Sequence, residues 1–192
     1  MMKQMWRALS TRSDFSEPAD QKTGMSSGII IVPIGALAAA SEGRIVTYAL
    51  GSCIGLCLYD SIAKTGGLLH ALVPDSAAAM RSGRFRPEER GKYVDTGVAA
   101  LIEMVTALGA KKSRLTAKLY GGAQLFSLCP ASSPLNIGRS NTEAALAALS
   151  AASVAVTEQQ TGGTGARTID FCLSDGSVTV REAGAQRFLE GF

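Results

Sequence analysis

The sequence predicts an α+β domain, built either as helices covering a sheet or as a β-sandwich. Three observations predict it. Short β-branched or alternating runs crowd both ends of the chain. Two helical periodicities lie between them, and strands and helices do not alternate in the regular way that a parallel βαβ sheet requires. With 192 residues, 46% of them apolar, the chain can close one substantial core. Residues 1–27 are polar and carry no sustained period, so they read as a flexible tail ahead of a single domain over 28–192.

Residues 29–34 and 44–50 are β-branched strand candidates, the second with Ile45, Thr47 and Ala49 on one face and Val46, Tyr48 and Leu50 on the other. Residues 54–59 alternate again, residues 60–67 form a turn with Lys64, Gly66 and Gly67, and residues 67–73 make the returning strand. Residues 76–91, with Arg81, Arg84, Arg86 and Arg90 around Pro87, read as a solvated loop. From 92 to 108, Val94, Val98, Leu101, Ile102, Val105 and Leu108 recur at helical spacing, and Gly109 is placed to end the helix. A strand over 114–120 breaks at Gly121-Gly122. An irregular stretch with Pro130 and Pro134 follows, and Ser140-Asn141-Thr142-Glu143 has the form of a capping box opening a helix to about residue 151. Strands over 153–158, 168–173 and 177–181 finish the chain, the last two joined by the hairpin signal Asp175-Gly176.

Charge and cysteine content exclude several functions. Nineteen Lys and Arg against sixteen Asp and Glu leave a formal charge of +3, and aromatics are only 6%, so neither phosphate backbone nor single strands find a suitable surface. The apolar run over 28–40 is interrupted by Pro33 and is too short to span a bilayer, so no membrane insertion is expected. Four cysteines and one histidine give no C-x-x-C and no His-rich metal centre, so no metal or other cofactor is expected, and reduced thiols fit a cytoplasmic location.

What remains is a possible cysteine enzyme. Cys53 follows Gly51-Ser52, and His70, the only histidine, lies 17 residues on. A thiol attacks well only when a base takes its proton or lowers its pKa, and His70 is the one imidazole that can serve. The small residues before Cys53 let the backbone turn, so that N–H groups near Ser52 and Cys53 could hold an oxyanion. Cys57, Cys129 and Cys172 read as small core hydrophobes, and Gln124, just after the glycine pair, as a neighbour of the site.

Six pieces, in order along residues 29–182, resemble the CheD family of chemoreceptor glutamine deamidases. They are Leu50-Gly51-Ser52-Cys53 ahead of Leu58-Tyr59-Asp60; Gly67-Leu68-Leu69-His70 with Leu72-Val73-Pro74; Lys92-Tyr93-Val94-Asp95; Ala117-Lys118-Leu119-Tyr120-Gly121-Gly122-Ala123; Ile137-Gly138 with Asn141; and Gly162-Gly163 with Gly165 and Arg167. The resemblance implies a Cys-His-Thr site with Cys53 as nucleophile, His70 as base and Thr47 as third member. It implies layered, sandwich-like β-sheets flanked by two main helices, akin to the cysteine deamidase domains of certain bacterial toxins. An extra alanine at 166 departs from the family's more usual Gly-Arg, which leaves Arg167 without an assigned role.

The activity implied is deamidation of glutamine side chains on chemotaxis receptors. The same chemistry could extend to glutamyl methyl esters, since only the leaving group differs. The partners implied are those receptors and a CheC-type phosphatase. A binding module with secondary catalysis, and a redox sensor built on Cys53 and Cys57, are the competing readings.

Overall fold

The computed structural model describes residues 28–124, 136–182 and 185–189. In chain order its strands are β1 (Ile29–Ile31), β2 (Leu37–Ala40), β3 (Arg44–Leu50), β4 (Ile54–Asp60), β5 (Thr65–Ala71), β6 (Thr116–Gly121), β7 (Ala155–Thr161), β8 (Arg167–Cys172), β9 (Val178–Glu182) and β10 (Ala185–Leu189). The helices are α1 (Ala77–Arg81), α2 (Val94–Ala107) and α3 (Ile137–Ala151). One sheet has the order β1-β3-β8-β9-β10, the other β2-β5-β4-β6-β7.

The second sheet is the middle of three layers. Every residue of β4 and β5 is buried, as strands covered on both faces must be. Ile54, Leu56 and Leu58 point to one side, where they meet Val94, Val98, Leu101 and Val105 of α2 and Ala145 and Leu149 of α3. Cys57 and Tyr59 point to the other, where they meet Ile45, Ile169, Phe171, Val178 and Val180 of the first sheet. Mixed α+β layering is therefore observed, with the sheets stacked and the helices on one outer side. No helix among the described residues is long and apolar enough to cross a membrane.

Several boundaries differ from those expected, each for a local reason. The first strand stops at Ile31. Pro33 and the positive φ of Gly35 turn the chain, and residues 37–40, for which no strand was expected, form β2 along the edge of β5. The alternation expected through β3 fails at Ala49, whose φ of +57° coincides with a register shift between Thr47 and Leu50. Within 76–91 the chain forms α1 and a 3-10 turn over Pro87–Lys92, and Arg90 pairs with Glu103. Helix α3 begins before the expected capping box. Asn136 Oδ1 accepts the Arg139 N–H, while Glu143 pairs with Arg139 one turn back. β10 had no expected counterpart.

One polar residue secures the far end of the middle sheet. Asp60, fully buried at the end of β4, accepts from the N–H groups of Ile62, Ala63 and Lys111 and from the Arg114 guanidinium, at 2.6–3.2 Å. The Arg114 hydrogen bonds, helped by those N–H groups, hold its carboxyl well below the ordinary value of 3.8 against the opposing effect of burial. A depressed carboxylate contributes stability that is complete above about pH 4 and is lost as pH falls below it. Asp60→Ala, which strands several buried donors, is expected to lower unfolding free energy at pH 7 by about 3 kcal/mol. Urea denaturation measures it, and a loss within experimental error of zero would contradict the role given to Asp60.

Candidate active site

The site is built where β3, β4 and β5 come together at the same end. β5 pairs β4 with His70 directly opposite Gly55. Glycine suits that place, because a Cβ there would lie 2.6 Å from Leu50 Cδ1. Cys53 ends the bend just before β4, two residues ahead of Gly55, and packs in the same apolar cluster as Cys57 and Tyr59, on the side of the middle sheet that faces the first sheet. Thr47 reaches the same ring from the opposing sheet. The three residues named from the sequence are therefore brought into one neighbourhood, at the inner seam of the sandwich.

The hydrogen bonds there admit one assignment. Thr47 Oγ1 lies 2.8 Å from the Val32 carbonyl oxygen and 2.7 Å from His70 Nδ1. A carbonyl cannot donate, so the single hydroxyl proton of Thr47 goes to Val32. The bond to His70 is then made only if Nδ1–H donates to Thr47 Oγ1. In the neutral ring Nε2 is left as the bare lone pair, and it is buried without a hydrogen-bond partner among the described residues. Burial pushes the imidazole down to about 4 from its ordinary 6.5.

Burial also raises the Cys53 thiol, its own backbone N–H exerting a smaller opposite pull. Burial thus disfavours the charged form of both groups. This differs from the expectation that proximity to His70 would lower the thiol pKa, and desolvation of both groups is the reason.

The loop holding Cys53 is tied by its carbonyls. Gly51 O accepts from Ala123 N and Cys53 O from Gly122 N, each at 2.8 Å, and Ser52 O accepts from Asn141 Nδ2 at 2.9 Å. The chain after β6 can lie this close because Gly121 and Gly122 have φ of +97° and +63°. A Cβ at Gly121 would collide with the Cys53 carbonyl oxygen. Beside Gly122 opens a cavity of about 490 Å³ lined by Gln124, Asn136, Arg139, Thr142 and Gly163 among others. Gln124 lines this cavity, whose walls include none of Thr47, Cys53 and His70.

Arg167 is almost fully buried. It donates to the carbonyls of Gly121 and Gly162 and pairs with Glu182, which makes it a brace for the glycine segments. Cys57 is fully buried in the core, Cys172 is half-buried beside Ser174, and Cys129 lies outside the described residues. Along a strand, four residues separate Cys53 from Cys57 by roughly 13 Å, beyond disulfide reach. Val32 and Asn141 were given no role from the sequence. A backbone carbonyl leaves no sequence signal, while a lone asparagine on a helix face otherwise lined by alanine and leucine does.

The family model described as CheD chemotactic sensory transduction matches residues 72–182. A curated relative from Pyrococcus abyssi, named probable chemoreceptor glutamine deamidase CheD, is 44% identical over 149 residues, covering 78% of this chain and 88% of its own. Relatives named chemoreceptor glutamine deamidase CheD from Thermotoga maritima and Halalkalibacterium halodurans are 37% and 35% identical over 150 and 160 residues. These cover 78% and 83% of this chain and 88% and 91% of their own. The family model starts two residues past His70, but a match of 149 residues in a chain of 192 begins no later than residue 44 and so takes in Thr47, Cys53 and His70.

A histidine held neutral in the folded state has a pKa depressed from 6.5 to about 4. The unfolded chain then binds the proton more readily in that window. Stability is complete above 6.5 and falls as pH drops toward 4, by on the order of 3 kcal/mol. Replacing His70 by Gln is expected to remove this slope, so the stability difference between wild type and His70→Gln shifts toward the variant between pH 6.5 and 4. Denaturant melts across that range measure it, and parallel pH curves for the two proteins would contradict the neutral ring.

Proposed function

The chain belongs to the CheD family, and on that footing we propose that it is a protein-glutamine deamidase of chemotaxis, which hydrolyses glutamine side chains of methyl-accepting receptors to glutamate through a thioester on Cys53. One observation carries this reading above the others. The Thr47 hydroxyl, committed to Val32, accepts the His70 Nδ1 proton and so leaves Nε2 as the bare nitrogen of the ring, on a strand paired with the one that Cys53 leads into.

The chemistry then runs without an external reagent other than water. Nε2 takes the thiol proton as Sγ attacks the glutamine side-chain carbonyl carbon, forming the C–S bond and pushing the carbonyl electrons onto oxygen. The backbone N–H groups near Ser52 and Cys53 stabilise that oxyanion. The imidazolium returns its proton to the amide nitrogen, the C–N bond breaks and ammonia leaves. Nε2 next takes a proton from water, whose hydroxide attacks the thioester. Collapse releases glutamate, and the imidazolium proton restores the thiol. Because both groups rest neutral, ion-pair formation belongs to the reaction rather than to the ground state. Thr47 Oγ1 accepts the Nδ1 proton throughout, which steadies the ring as it becomes charged.

The leaving group is the only difference between an amide and a glutamyl methyl ester, so hydrolysis of receptor methyl esters is part of the same reading. So are action in the cytoplasm, where the receptors' helical signalling regions lie, and binding of a CheC-type phosphatase. The stacked sheets with helices on one side are in keeping with a relation of fold to the cysteine deamidase domains of bacterial toxins.

Incubating receptor signalling fragments with the protein is expected to release ammonia and to raise the mass of specific glutamines by about one dalton. Cys53→Ala is expected to abolish both. Thr47→Val, which removes the hydroxyl but keeps the shape, is expected to lower kcat/KM roughly 10–100-fold, while Thr47→Ser keeps most of it. Ammonia release that survives in Cys53→Ala would overturn the assignment. Unmodified glutamines with retained fragment binding by both proteins would favour a binding module.

A further inference from the structure

The loop that presents Cys53 and the strand that presents His70 meet at one side chain of α3. Asn141 is fully buried, and its Nδ2 donates to Ser52 O at 2.9 Å and to Leu72 O at 3.0 Å. Ser52 is the residue before the candidate nucleophile, and Leu72 lies two residues beyond the candidate base. Both amide hydrogens are thereby used on the two backbone segments of the site, while Oδ1 is buried without a partner among the described residues. An idle buried acceptor destabilises the fold. The amide group is nonetheless suited to the position, since it is neutral and planar, carries two diverging N–H donors and reaches no further than needed. An aspartate of the same shape would set a carboxylate against two carbonyl oxygens.

The bond to Ser52 O matters for a geometric reason. The peptide joining Ser52 to Cys53 is planar and trans, so its C=O and N–H point in opposite directions. Fixing the carbonyl toward α3 therefore fixes the Cys53 N–H away from α3, and that N–H lies close enough to its own thiol to influence it. The helix is held in register for this contact one turn earlier, where Gly138 abuts the carbonyls of Gly122 and Ala123 so closely that a Cβ would collide with them.

Building on the deamidase reading, we propose that Asn141 is a positioning residue, which aims the Cys53 N–H at the oxyanion of the reacting amide and locks the Cys53 loop to the end of β5. It touches neither substrate nor reacting atoms and acts through the peptide it holds. Losing the aim of one oxyanion donor weakens acyl transfer, where negative charge grows on the carbonyl oxygen. Alkylation of the same sulfur by iodoacetamide develops no such oxyanion and is insensitive to the aim.

The test compares wild type with Asn141→Leu, and with Asn141→Ser, which leaves room for a water to bridge the two carbonyls should the leucine variant fail to fold. Two readouts are taken on each: ammonia release from a receptor signalling fragment, as kcat and KM, and the rate of Cys53 alkylation by iodoacetamide. The expected result is a kcat lowered roughly 10–100-fold for Leu and less for Ser, with KM and alkylation rate within about twofold of wild type. Equal losses in both reactions would make Asn141 merely structural, and unchanged kcat would remove its role. Both results overturn the inference while the deamidase reading stands. A wild type that is alkylated at Cys53 yet releases no ammonia would overturn that reading, and the inference with it.

Discussion

Everything at the candidate site depends on a single proton having one place to go. The Thr47 hydroxyl has one hydrogen and the Val32 carbonyl has none, so the direction of the first bond determines the second. His70 must then carry its proton on Nδ1, and Nε2 is left as the bare nitrogen of the neutral ring. Threonine is a weaker orienter than a carboxylate because it brings no charge to stabilise an imidazolium. It also leaves the resting ring uncharged, which suits a position enclosed between two sheets. A carboxylate in that place would favour a buried ion pair and a standing thiolate.

The fold supplies this arrangement by bringing two sheets together. Val32 and Thr47 come from the outer sheet and its approach, His70 from the middle sheet, and Cys53 from the connection between them. β4 and β5 are buried along their whole length, so His70 and Gly55 are placed by a register that cannot slip without turning the apolar residues of the helix-facing side toward the other sheet. At the other end of β4, Asp60 holds the turn into β5 and the approach to β6. The catalytic reading therefore draws on the same packing that closes the core.

Much of this was legible in the sequence where side-chain pattern and local chemistry agree. The alternation over β4 and β6 and the apolar spacing of α2 show directly in the residues, and the lone histidine and the glycine-serine approach to Cys53 pointed to the candidate site. Other features were hidden by their nature. The alanines of β2 have no β-branching to announce a strand, and their edge position is set by pairing with β5. Ser140 and Glu143 imitate a helix start, but Asn136 caps the helix a turn earlier, which masked Asn141 as a helix-interior residue with two backbone partners. The neutral state of Cys53 and His70 follows from desolvation, which depends on what the two sheets exclude rather than on sequence neighbours. Thr47 stood out only through the family resemblance, since a threonine in a strand is otherwise unremarkable.

The presence of one histidine in the chain makes the central claim directly measurable. Protein labelled with nitrogen-15 in histidine yields the resonances of a single ring, whose shifts and one-bond couplings report which nitrogen holds the proton. At pH 7 the expected spectrum is that of the neutral ring with the proton on Nδ1 and a bare Nε2. A ring protonated on Nε2 alone, or an imidazolium at that pH, would contradict the direction of the hydrogen bonds from His70 through Thr47 to Val32.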